Sequence, residues 1–419
     1  MAISRLIKLS LLMTLLSVTM LSVQSSSGDT FSESSADNFF GVGGRAVGMS
    51  EAVTASVLDG TALLYNPAGL TRIKRPEFYA ALSNEKVKNV TNSPDTGVSN
   101  DFSKTRLNSL ILSVPVPTYR GAFVIALGVN RVKSFDKTYT FQRNTFPGTE
   151  WAVEEQTGGM QEWSAGAGVS LSPRLSVGAT LIYDHGKETY FWNLKQTGSS
   201  GEIEFDDNIE SVYSAVGARL GLDVEINQYV GLSLALDSPR NFLIKQDYVL
   251  DSSGTTLIDT YEYHLTHPYA FAGGLVLRRG TALVECDLTY EDWSQMEYKN
   301  KESLSIARRG LGKDNRVLRQ LYDQVFTFSI GAEYVIPSYG VVLRGGFKHD
   351  PLPISGTLMS NQIEKDRNSF SAGLGFLIDK IVMLDIAYAH AGYKIYDGEK
   401  RLSEEFTSDR VMVSIGYRI

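Results

Sequence analysis

The chain has a single cysteine, Cys286, among its 419 residues, which rules out an internal disulfide framework. Histidine is almost as scarce. His185, His264, His267, His349 and His390 lack the H-E-x-x-H spacing that sets two imidazoles on one helix face, so no metal site and no cofactor is expected from them. Positive charge is not in surplus either: 40 Lys and Arg stand against 47 Asp and Glu, for a net charge of −7. That balance lacks the electrostatic footprint of a nucleic-acid partner. No local pattern joins a nucleophile to a base, so an enzyme is not expected. "RRGLGKDN", Arg308 to Asn315, misses the G-x-x-x-x-G-K-S/T spacing of a phosphate loop. Beyond the N-terminus no apolar run approaches the ~20 residues that a spanning helix needs.

What the chain does have is glycine and aromatics, 38 Gly with 21 Tyr and 19 Phe, a composition suited to closely packed β-strands. Residues 1–25 place Arg5 and Lys8 ahead of an apolar run from Leu9 to Val23 and then small polar residues, the layout of a secretory signal peptide. From Pro76 onward the chain alternates with period two. In "TALVECDLTYEDW", Ala282, Val284, Cys286, Leu288 and Tyr290 share one face, and Glu285, Asp287, Thr289 and Glu291 share the other. In "QEWSAGAGVSLSP" the greasy face of Trp163, Ala165, Ala167, Val169 and Leu171 opposes Ser164, Gly166, Gly168 and Ser170.

Fourteen such segments can be counted, near 76–83, 107–116, 121–133, 161–172, 174–185, 210–224, 226–237, 264–279, 281–292, 325–336, 339–349, 367–378, 380–391 and 409–418. Their connections alternate strictly between tight turns and long polar loops, the latter at 84–106, 134–160, 186–209, 238–263, 293–324, 350–366 and 392–408. An even strand count with this alternation, behind an export signal, predicts an all-β, antiparallel transmembrane β-barrel in the bacterial outer membrane, surrounded by its lipid and monomeric. Tyr183, Tyr290, Tyr334, Tyr388 and Tyr417 fall near strand ends, where an interfacial girdle would lie.

Fourteen strands enclose more space than side chains can fill. The inward faces carry Asp184, Arg219, Glu285, Asp287, Glu333, Arg344, Lys348 and Asp385, a mixed-sign set fit either for a water-filled pore or for salt bridges to a plug. Residues 26–75 would supply that plug, a hatch ahead of a barrel domain at 76–419. Gly41, Gly43, Gly44 and Gly48 supply turns, and a helix-like stretch from Met49 is broken at Asn66 and Pro67. Residues Ser303 to Tyr322 predict a helix in one of the long loops, with Leu304, Ile306, Leu311, Leu318 and Leu321 available for packing.

The segment "GVGGRAVGMSEAVTASVLDGTALLYNPAGLTRIKRPEFYAAL" resembles the N-terminal hatch of the FadL, OmpP1 and TodX transporters of long-chain fatty acids and aromatic hydrocarbons. The features that carry the resemblance are Gly44 to Ala46, the string Tyr65, Asn66, Pro67, Ala68, Gly69 and Leu70, and Arg75 with Pro76 leading into a strand. The resemblance implies passive uptake of a hydrophobic small molecule, captured by extracellular loops, held in a pocket above the hatch and released sideways where the third strand kinks inward. Gly128 is the candidate bend in that strand. Arg219, Arg344 and Lys348 are candidate cations for a ligand carboxylate, or structural partners of Glu285, Asp287 and Glu333. A related branch, the PorV-like docking subunits of protein secretion systems, shares the barrel and an "NPAGL"-like hatch, and is the alternative role.

Overall fold

A computed structural model describes residues 41–92, 97–145, 148–198, 201–252, 255–299, 315–354, 361–379, 381–397 and 402–419. The signal segment at 1–25, and Leu304, Ile306 and Leu311 of the expected loop helix, lie outside these residues. The strands are β1 (Glu77–Asn92), β2 (Gly97–Val116), β3 (Phe123–Ser134 and Lys137–Thr145), β4 (Gly148–Ser172), β5 (Leu175–Gly198), β6 (Gly201–Glu225) and β7 (Val230–Asp237 and Arg240–Ser252). There follow β8 (Thr255–His267 and Ala270–Arg279), β9 (Ala282–Asp292 and Glu297–Tyr298), β10 (Gln324–Ile336), β11 (Val341–Asp350), β12 (Asn361–Ile378), β13 (Val382–Asp397) and β14 (Leu402–Arg418). Each is antiparallel to its neighbours, and β1 pairs with β14 from Glu77↔Arg418 to Asn92↔Ser403, closing a fourteen-stranded barrel. Closure joins the first strand to the last, so neither exposes a free edge to lipid, where an unpaired backbone group has no water to bond.

The strands cross the barrel where the alternation placed them, but many run further. β4 starts at Gly148 instead of near 161, and β5 continues to Gly198 instead of ending near 185. Much of what read as loop is strand, where the strict alternation that marks a membrane wall lapses, although Trp192 and Leu194 still pack with Ala152 in a small buried cluster. Breaks interrupt four strands: Phe135–Asp136 in β3, Ser238–Pro239 in β7, Pro268–Tyr269 in β8 and a 3-10 turn at Trp293–Gln295 in β9. Pro239 and Pro268 have no N–H to give the ladder, a sufficient reason for two of these breaks.

The greasy faces point outward: Trp163 is 52% and Leu181 70% exposed, while their inward neighbours Glu162 and Thr180 are each 1% exposed. Tyr183, Tyr334, Tyr388 and Tyr417 stand exposed on the outer surface. Ring pairs Tyr290 with Phe326 at 4.8 Å and Phe347 with Phe370 at 5.1 Å extend this belt.

The lumen holds residues 41–75 as a buried plug. It contains α1 (Gly44–Gly48), α2 (Ala62–Tyr65) and a 3-10 turn at Pro67–Arg72. The segment read as a longer helix from Met49 is therefore mostly turns, and only its last four residues before Asn66 are helical.

Candidate functional site

The hatch is seated on missing side chains. Gly168 of β4, Gly178 of β5 and Gly221 of β6 lie side by side in register, forming a bare row on the inner wall. Pro67 and its neighbours rest on this row. An added Cβ at Gly168 would come within 2.8 Å of the Pro67 carbonyl oxygen, and one at Gly221 within 2.8 Å of the Ala68 nitrogen. A second seat, Gly331 of β10 paired with Gly346 of β11, receives Met49. The small inward faces seen in the sequence are thus shaped to admit the hatch backbone itself.

Asn66 is wholly buried in the first seat. Its backbone is extended, with φ at −161°, which ends α2, and its side chain caps the next turn by accepting from the Ala68 N–H at 3.1 Å. Its Nδ2 donates to the Thr54 carbonyl at 3.0 Å within the hatch and to the Leu222 carbonyl of β6 at 3.3 Å. One amide therefore fastens the turn, the hatch and the wall together. Tyr65 closes the hatch on itself: the Val42 N–H donates to its hydroxyl, and the hydroxyl donates to the Val42 carbonyl, both at 3.0 Å.

The four hatch glycines serve two purposes. Gly43, at φ 91°, adopts a backbone that a side chain would strain, and a Cβ there would meet the Tyr79 hydroxyl at 2.7 Å. Gly44 and Gly48 lie in α1 instead of in turns, and their bare faces let α1 approach Asp385 of β13 and Gly373 of β12. Gly41 leaves room for the Glu51 carboxylate.

The inward charges are committed to the wall and the hatch. Arg219 bonds Glu162, Asp237 and, at 3.0 Å, the Leu63 carbonyl of the hatch. Arg240 joins this network through Asp184 at 2.7 Å and Glu162 at 3.2 Å. Arg344 pairs with Glu333 and Asp385, both at 2.7 Å, and Arg45 of the hatch meets the same Glu333 at 3.0 Å. Lys348 holds Glu51 of the hatch at 2.8 Å and Asp350 at 3.3 Å. All three candidate cations for a ligand carboxylate are thus already paired. Glu285 and Asp287 act otherwise than expected: they accept hatch backbone N–H groups, Asp287 from Val53 and Thr54 at 2.9 Å each and Glu285 from Ala55. A buried carboxylate bonded this way fixes a loop without a cation.

Beside these charges the lumen above the hatch holds an apolar cluster. One buried cluster joins Leu318, Leu321 and Tyr322 of the connection before β10, through Trp293, Phe242 and Met160 of the wall, to Leu64 and Val42 of the hatch. Leu318 and Leu321 lie on α3 (Asn315–Leu321), the described part of the expected loop helix. A cavity of about 240 Å³ adjoins the cluster, apolar on the side of Leu64, Val132, Met160, Phe242 and Trp293 and strongly charged on the other, where Glu51, Glu162, Arg219, Asp237, Arg240, Lys348 and Asp350 line it.

The third strand loses its pairing with β2 while keeping its pairing with β4, and the loss does not fall at Gly128. That glycine is paired on both sides, with Ile111 of β2 and Ser164 of β4, and Ile111 covers its missing side chain. Pairing between β2 and β3 ends at Ser109↔Asn130, and the register against β4 slips between Arg131 and Lys133. The upper halves of β2 and β3 then pair only with β1 and β4, leaving a seam. An ionic clasp spans it: Arg106 of β2 reaches Asp136 at 2.9 Å, and Asp136 also accepts from Arg131 at 3.2 Å and from the Gly158 N–H at 3.1 Å. The strand is interrupted at Phe135–Asp136, where Asp136 is buried against these partners.

Comparison with known proteins agrees with this architecture. A sequence profile described as outer membrane protein transport protein (OMPP1/FadL/TodX) matches residues 18–400. The chain belongs to that family. No curated protein matches it. Among solved structures, a FadL homologue from Pseudomonas aeruginosa aligns with TM-score 0.65 at 14% identity, over 91% of this chain and 100% of the other. The P. putida toluene transporter TodX aligns with TM-score 0.61 at 13% identity, over 89% and 98% of the two chains. The CymD monoaromatic hydrocarbon channel aligns with TM-score 0.59 at 15% identity, over 92% and 99%. Membership in the OMPP1/FadL/TodX family places the protein in the bacterial outer membrane, with its strands crossing the bilayer.

Several residues that organise this FadL-type lumen escaped the sequence reading. Glu162, Arg240, Glu51, Asp350 and Asp136 sit where chain had been assigned to loops, strand starts or the hatch. Only Glu162 left a usable signal, since it continues the inward series Ser164, Gly166 and Gly168 upward by one step.

Proposed function

We propose that this member of the OMPP1/FadL/TodX family is a passive channel for hydrophobic small molecules, long-chain fatty acids or aromatic hydrocarbons. A molecule is captured against α3, descends the apolar cluster to the cavity above the hatch, and leaves sideways at the β2–β3 seam as the hatch yields. The observation that carries this reading is the unbroken run of buried apolar side chains from Leu321 to Leu64 inside the barrel. Burial of alkyl or aromatic surface there gains about 25 cal/mol per Å² relative to water, enough to draw such solutes in without an energy source. A docking role would call instead for a sealed, polar lumen. The test is uptake of oleate and of toluene by cells with and without the protein. Faster entry of at least one is expected, and equal entry of both with and without the protein overturns the proposal.

A further inference from the structure

The short turns, which a barrel of this kind presents to the periplasm, carry their charge unevenly. Lys74 and Arg75 at the foot of β1, Arg120 between β2 and β3, and Arg174 between β4 and β5 are all exposed. Among the described residues none of the four has a carboxylate within ion-pair distance. The acids of this end are engaged elsewhere: Glu77 holds Arg418, and Asp223 and Glu225 hold Arg72 and Arg278. Glu225 does touch Arg174, but through its backbone N–H, which donates to the Arg174 carbonyl. Asp59, close to Glu77, is 2% exposed. The exposed acids are the C-terminal carboxylate, whose residue bonds the Pro76 carbonyl, and Asp379 on the β12–β13 turn, both at the β1 end of the arc. Beneath β2 to β5, Arg120 and Arg174 therefore stand as uncompensated positive charge. Tyr119, fully exposed beside Arg120, adds a ring of the kind that sits at head-group level.

Above these two arginines the outer wall is grooved. Phe78, Leu112, Leu127, Ala165 and Leu181 stand in one row across β1 to β5, each paired with the next. Ala165 is the small member of the row, and the depression over it, flanked by Leu127, Leu181 and Trp163, encloses about 660 Å³. Since β2 and β3 are still paired at this level, below the seam, the wall behind the groove is closed. At about 3.3 Å per residue and a tilt near 40°, Leu127 lies roughly 10 Å from the start of β3 and Ala165 roughly 18 Å from the end of β4. That is the depth to which the tails of one leaflet reach. An apolar groove accepts any alkyl chain, but uncompensated arginines at its foot select a chain that carries a phosphate. We propose that the outer wall of β2 to β5 binds an anionic phospholipid of the periplasmic leaflet, its phosphate at Arg120 and Arg174 and one tail in the groove at Ala165. The site lies outside the barrel and is independent of solute passage.

The experiment places the full barrel in phosphatidylcholine nanodiscs doped with either phosphatidylglycerol or phosphatidylcholine carrying a brominated tail. Quenching of Trp163, which lines the groove, is read as the difference from Trp163→Phe. Brominated phosphatidylglycerol should quench at a several-fold lower mole fraction than brominated phosphatidylcholine. Arg120→Gln with Arg174→Gln lowers that preference about fivefold or more. Arg279→Gln, which removes an exposed cation at the end of β8, leaves it within about twofold. Ala165→Leu fills the groove and cuts quenching although both arginines remain. Equal quenching by the two lipids in the wild type, or an unchanged preference in the double arginine variant, overturns the site. A loss in Arg279→Gln as large as in the double variant also overturns it, by making the preference a diffuse attraction to the whole rim. Abolition of the preference by soluble glycerol phosphate or polyglutamate would assign the arginines to a soluble anion or an acidic protein, and overturns it likewise.

Discussion

Adding one methyl group at Gly178 should loosen the hatch and leave the barrel alone. The new Cβ would overlap the carbonyl carbon and oxygen of Pro67 and lie 2.5 Å from the Ala68 nitrogen. These are backbone atoms, so no rotamer change can relieve the clash, and overpacking of this kind costs about 1–3 kcal/mol. The strand has little freedom to retreat, since Gly178 is paired on one side with Gly168 and on the other with Gly221. The cost therefore falls on the hatch, and at 1.4 kcal/mol per factor of ten its opening becomes about five- to 150-fold more frequent. The amides that report this are Leu64 and Tyr65, bonded to the Thr61 carbonyl, Asn66, bonded to Ala62, and Gly69, bonded to Asn66. Hydrogen exchange followed by mass spectrometry should show these four accelerating in Gly178→Ala while the ladders of β4 to β6 keep their protection. Wild-type exchange in the hatch of the variant, with an unchanged melting temperature, would refute the idea that the glycine row is its seat.

Asn66→Ala removes a cap and two ties, so hatch protection falls by about 1–3 kcal/mol while the barrel still assembles. Failure to assemble, judged by strand content in circular dichroism, would make the motif part of the barrel's architecture. Arg219→Met strips Glu162 and Asp237 of a shared cation and should cost about 3–5 kcal/mol in thermal unfolding, because buried carboxylates are left under-compensated. A shift below about 1 kcal/mol would mean that Arg240 suffices alone. Leu321→Asp sets a charge in the apolar cluster and should slow whichever solute the protein carries, and unaltered uptake would take the loop helix off the route. Lys348→Met frees Glu51 and speeds hatch exchange, with the ratio of oleate to toluene uptake unchanged. A selective loss of oleate would restore that lysine as a ligand cation.

The transmembrane part of the fold was legible because lipid imposes a strict rule, one greasy face and one not, and Val284, Leu288, Glu285 and Asp287 obey it without exception. The tight turns were legible for the same reason, since they end the rule abruptly. The upper strands were not, because in Thr189 to Gly198 and Glu202 to Asn208 aromatic, apolar and charged residues mix, and the small cluster of Trp192, Leu194 and Ala152 emerges only from pairing across strands. The seam was hidden too. Val129 to Lys133 loses the alternation at Arg131, but a short lapse of that kind does not show that pairing with β2 ends at Asn130 or that Asp136 meets Arg106 and Arg131. Small residues on the inner faces could be seen, but their purpose depends on register across β4, β5 and β6, which a linear pattern does not contain.

The unequal strand lengths set the shape of the entrance. β4 and β6 have 25 residues each and β5 has 24, whereas β11 has ten. At about 3.3 Å per residue and a tilt near 40°, the first group stands roughly 60 Å tall and β11 about 25 Å, the height of the apolar band itself. Among the described strands the barrel wall is a ramp, rising from β11 to a screen on the opposite side. On the proposed channel reading, a solute drifting along the cell surface would meet that screen as a backstop and α3 as the doorstep.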